Sequence, residues 1–149
     1  MEISTQQTFS VLTDESEQFL DFLHRYWTIT TTHVERQCGS LWDSHLDWHQ
    51  YAEVYLFGTI NDFGRQSHLT IDQTLSLCAV FLVEKMDKSL TEAQQTLDHI
   101  IAHVEAWDCC AYSHAGEQAL KAFAKGDFTS THRLADLLMD DLASLPIAV

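Results

Sequence analysis

The residues of this chain best suited to chemistry are its nine histidines. Two His-x3-His pairs stand out, His45 with His49 and His99 with His103, where random placement of that many histidines gives about 0.5 such pairs. Residues four apart share a helix face, so each pair could present two imidazoles to one metal ion. Glu53 extends the first pair to His-x3-His-x3-Glu, and imidazole with carboxylate suits zinc, iron or manganese. On a helix over residues 41–57 the apolar stripe centres close to His45, with His49 beside it and Glu53 at its edge, so this set is the better placed for an interior site. On the later helix His99 points away from the stripe of Leu97, Ile100, Ile101 and Val104, and His103 sits on its margin. The competing structural role for such histidines is a hydrogen bond to a hydroxyl or carboxylate within the core or an interface. Beyond that divalent metal, no cofactor is expected.

Cysteine chemistry has less support. Cys38 lies next to Gly39, and Cys109 and Cys110 are adjacent and flanked by His103, Asp108 and His114. Zinc sites built on Cys-x2-Cys spacing are absent, and neighbouring cysteines do not bridge each other readily. The sequence also lacks the Gly-x-Ser-x-Gly elbow, a phosphate-binding glycine loop and a dinucleotide fingerprint, so no catalytic residue is expected.

Charge narrows the choice further. Eight Lys plus Arg stand against 22 Asp plus Glu, a formal net charge of −14. Such a surface repels nucleic acid and anionic membranes, since both are gripped by Lys and Arg. The expected partner is a basic protein, because a strongly acidic chain lowers its self-repulsion and speeds encounter by docking one. Asp136, Asp140 and Asp141 gather near the C-terminus, and Asp43 and Asp47 lie opposite the apolar stripe of the 41–57 helix, where Trp48 and Tyr51 on its margin are the expected aromatic anchors. A small inhibitor, immunity or antitoxin-like protein fits this balance, and self-association is a second form of partnership left open. Residues 1–21 carry five acidic residues and neither Lys nor Arg, unlike a secretory signal, so the expected compartment is the cytoplasm, with cysteines as free thiols.

The elements that must position these residues read as all-α. The sole proline is Pro146, so nothing before it removes a helix donor. A length of 149 residues with 46% hydrophobic content suits one domain, with residues 1–12 and 146–149 as tails. Six helices are expected. The first spans about 14–37, with the β-branched run Thr28 to Thr32 as a weak point. The second spans 41–57, closed by Gly58, and is followed by a polar loop over 61–68. The third, over about 71–87, starts from Thr70 with Gln73 three residues on and is apolar nearly all round, which places it at the centre of the bundle. The fourth spans 90–107 from a second capping box, Ser89 with Glu92. The fifth and sixth cover 113–125 and 130–145 and form a hairpin through Gly126, Asp127 and Phe128.

Overall fold

The computed structural model describes residues 13–103 and 107–144, with side chains described for 13–103 and 111–140. Every regular element among them is helical: α1 (Asp14–Cys38), α2 (Ser40–Ser44), α3 (Leu46–Gln66), α4 (Ile71–Glu84), α5 (Leu90–His103), α6 (Trp107–Ala124), a 3-10 turn (Phe128–His132) and α7 (Arg133–Ser144). The all-α expectation holds.

Local chemistry explains the helix starts. Thr13 caps α1 by accepting from the Ser16 amide at 3.1 Å, and Asp14, Glu15 and Glu17 fill the positive first turn. The Thr28–Thr32 run does not interrupt α1. Thr28, Thr31 and Thr32 donate their hydroxyls to the carbonyls of His24, Trp27 and Thr28 at 2.8–2.9 Å, an arrangement that keeps β-branched hydroxyl residues inside a helix. Both capping boxes form as the sequence implies. Thr70 and Gln73 exchange side-chain-to-amide bonds of 3.1 and 2.9 Å, and Ser89 and Glu92 do the same at 3.1 Å each. Those bonds favour the charged carboxylate and hold Glu92 below its ordinary range.

The second expected helix is two helices. α2 ends at Ser44, and His45 leaves helical geometry with φ −105° and ψ 89° before α3 begins at Leu46. Nor does Gly58 close it: α3 runs on to Gln66 and takes in residues 61–66 of the loop expected over 61–68. Gly58 sits at a contact between two backbones. A Cβ there would strike the carbonyl of Ser113 on α6, and a Cβ on Gly116 of α6 would strike the carbonyl of Tyr55 on α3. Tyr51 and Tyr112 stack beside this contact with ring centroids 4.8 Å apart and planes 7° apart.

The expected central helix is wrapped on all sides, since every residue from Thr74 to Leu82 is buried, although it stops at Glu84. α3 shares that position, being buried without a break from Val54 to Ile60. α1 runs antiparallel to α3, as the Phe19–Phe63 stack at 4.1 Å and the Trp27–Tyr55 contact at 6.2 Å show. α6 and α7 pair as the expected hairpin, with Asp127 capping the 3-10 turn that joins them. Behind that turn Tyr55 donates to Tyr26, which donates in turn to the Ser130 carbonyl, so two buried hydroxyls tie α3, α1 and the turn together.

Candidate functional site

His45, His49 and Glu53 do not come together. The break at His45 takes that residue off the α3 face, and its Nδ1 lies 3.1 Å from the Leu41 carbonyl and 3.2 Å from the Ser44 hydroxyl, with the ring stacked on Trp48. His49 donates Nε2–H to the Trp42 carbonyl at 2.8 Å and packs 3.9 Å from the Trp42 ring. Both imidazoles therefore fasten α2 to α3. Among the described residues, no group of three His, Cys, Asp or Glu side chains is arranged to hold a metal ion.

Glu53 instead faces α5. Its Oε2 is buried with no hydrogen-bond partner and lies 3.7 Å from Nδ1 of His99. Burial raises its carboxyl above the ordinary range, opposed by the positive charge available to His99, Lys88, His49 and His103. The sequence projection missed His99 because it counted Ile101 as core. Ile101 is 46% exposed, and the buried face of α5 is Ala93, Thr96, Leu97 and Ile100, which brings the histidine edge of the helix round to α3.

Trp48 is not an exposed anchor. It is 1% exposed and among the largest fully buried side chains. Tyr51 is half-buried against Tyr112. Asp43, Asp47, Asp136 and Asp140 are exposed, as expected, and Asp136 accepts from Gln37 at 3.0 Å. The side chain of Asp141 lies outside the described residues, as do those of Asp108, Cys109 and Cys110.

Cys38 and Cys78 are buried free thiols. Desolvation raises the Cys38 thiol, and burial with Glu53 nearby pushes that of Cys78 up to about 12. A thiolate is the reactive form, so neither cysteine suits nucleophilic attack. With Ser placed at 109 and 110, a thiol reagent should label no cysteine in the native chain and both Cys38 and Cys78 after unfolding. Labelling of either before unfolding would contradict this burial.

An open groove of about 360 Å³ lies between α6 and α7, floored by Ala115, Ala119 and Ala122 and rimmed by Asp127, Arg133 and Asp136. Among the described residues no helix is long and apolar enough to cross a membrane. No protein-family model matches this chain, and no curated protein or solved structure is significantly similar to it.

Proposed function

We propose that the protein is a non-catalytic binding protein whose acidic end docks a basic protein partner, in the manner of a small inhibitor, immunity or antitoxin protein. The observation that carries this reading is the uneven distribution of paired charge along α3. At one end Arg65 and Lys121 close on Asp62 and Glu117 at 2.9–3.5 Å. Asp47 stands in the first turn of the same helix, about 22 Å from Asp62 by helical rise. There α1 ends at Cys38, α2 carries Asp43, and Gln37 ties in α7 through Asp136, with Asp140 one turn further on. None of Asp43, Asp47, Asp136 and Asp140 forms an ion pair among the described residues.

Exposed, unneutralised carboxylates of one sign raise the encounter rate with a basic surface and disfavour acidic competitors. Arg36 in the last turn of α1 and Arg133 in the first turn of α7 are the cations nearest in sequence to these elements' acidic end, and neither ion-pairs with these aspartates. The free thiols of Cys38 and Cys78 fit a reducing, cytoplasmic setting.

The test is affinity capture with the native chain and with D43K/D47K/D136K/D140K, after checking that the variant unfolds at the native temperature. The expected result is a basic protein held by the native chain and lost by the variant. Identical captured sets, or captured proteins of no particular charge, would sink the reading.

A further inference from the structure

Histidine is the side chain whose ordinary titration falls nearest to neutral pH, so histidines that the fold brings together are candidates for sensing it. His33 of α1 and His132 at the end of the 3-10 turn lie far apart in sequence, yet their rings stack with centroids 3.7 Å apart and planes 24° apart. His33 is half-buried and His132 exposed. Among the described residues neither ring has a carboxylate in ion-pair contact, whereas His99 has Glu53 at 3.7 Å. The pair thus lacks a contacting counter-charge in a chain of net charge −14. Desolvation, the charge available to His132 and that of Arg36 hold His33 below the ordinary histidine range.

Two neutral imidazoles stack face to face without penalty, and so does one neutral ring on one protonated ring. Two imidazolium ions in the same stack place like charges 3.7 Å apart. The first proton therefore enters at little cost, and the second parts the rings. What they hold together is the seam between α1 and α7. Gln37, four residues after His33, donates Nε2–H at 3.0 Å to Oδ1 of Asp136, four residues after His132. The stack and this bond are successive rungs of one seam. We propose that His33 and His132 form an acid-operated switch, in which the stacked pair closes the α1–α7 seam and protonation of both rings opens it and frees Gln37 from Asp136. Arg36 and Arg133, which follows His132 directly, form no ion pair among the described residues and add to the repulsion. The other charged groups around the turn are engaged elsewhere: Asp127 accepts from Thr129, and Lys121 of α6 is held by Asp62 and Glu117. Asp136 opposes the opening through its bond to Gln37.

The switch is a property of the chain alone and is independent of the docking of a partner. Its test is an NMR titration of the histidine rings and the Gln37 side-chain amide from about pH 8 to about pH 5, above the range in which ordinary carboxylates take up protons. In the native chain the Gln37 amide signal should move as the second of the two rings is protonated. In H132Q the His33 midpoint should rise by about one pH unit, and the Gln37 signal should hold through the titration. Because His33 takes its proton less readily folded than unfolded, it contributes stability above the ordinary histidine value of about 6.5, lost as pH falls below that value. The unfolding temperature should therefore drop further on acidification in the native chain than in H132Q or H33Q. The exposure of His132 lets H132Q keep its fold, which its unfolding temperature at the alkaline end checks, and H33Q serves as the second variant. A His33 midpoint unmoved by H132Q would overturn the proposal. So would a Gln37 amide indifferent to the titration, or an acid-induced loss equal in the native chain and both variants.

Discussion

Gly116→Ala should destabilise the protein by about 3 kcal/mol, and Gly58→Ala by a similar amount. The sign is what makes the result informative. Alanine replacing glycine inside a helix ordinarily gains about 1 kcal/mol, and both glycines lie well within α6 and α3. Here the new methyl meets a backbone carbonyl from the facing helix, Tyr55 for Gly116 and Ser113 for Gly58. A carbonyl held in a helical hydrogen-bond ladder cannot swing aside as a flexible side chain can, so the two helices must separate and the Tyr51–Tyr112 stack must loosen with them. In a chain of this size the loss corresponds to about 6–12 °C in unfolding temperature. Chemical denaturation of each variant measures it, and a stabilised Gly116→Ala would show that α3 and α6 do not touch backbone to backbone.

Trp48→Ala carries the second large effect, a loss of about 3–5 kcal/mol. The indole is fully buried in the core in the first turn of α3, with the His45 ring stacked on it at 4.7 Å. Removing it leaves a cavity that the short α2 is not free to refill, because His45 and His49 are both fastened to its backbone. An exposed anchor would behave in the opposite way, losing partner affinity while stability stayed within about 0.5 kcal/mol of native. Urea unfolding of the variant therefore decides between a core role and a surface role for this residue.

Trp48 also shows where sequence reading stops. Projection of a single helix over 41–57 put it on the margin, but the chain leaves helical geometry at His45, and the register on either side of that break is not shared. No proline or glycine marks the break, so local composition gave no warning of it. The same shift took His45 out of the expected ligand set. Gly58 misled for a different reason. A glycine that ends a helix and a glycine that admits a neighbouring backbone look alike locally, and only the contact with α6 distinguishes them. Features set by short-range chemistry were legible: the Thr70–Gln73 and Ser89–Glu92 boxes, the all-round burial of α4, and the exposure of Asp43, Asp47, Asp136 and Asp140. The pairing of Glu53 with His99 was not, because it depends on which face of α5 turns inward, and one exposed isoleucine, Ile101, had tilted that projection.

The most direct test of the acidic docking end is the association rate of the captured basic partner, measured by stopped flow across a range of ionic strength. Long-range attraction between unneutralised carboxylates and a basic surface is screened over about 10 Å at 0.1 M salt. The native chain should therefore bind about tenfold or more faster at low salt than at high salt, and D43K/D47K/D136K/D140K should lose that acceleration while keeping the native fold. A native rate indifferent to salt, or a reversed-charge variant that associates as fast as the native chain at low salt, would contradict recognition through this end of the bundle.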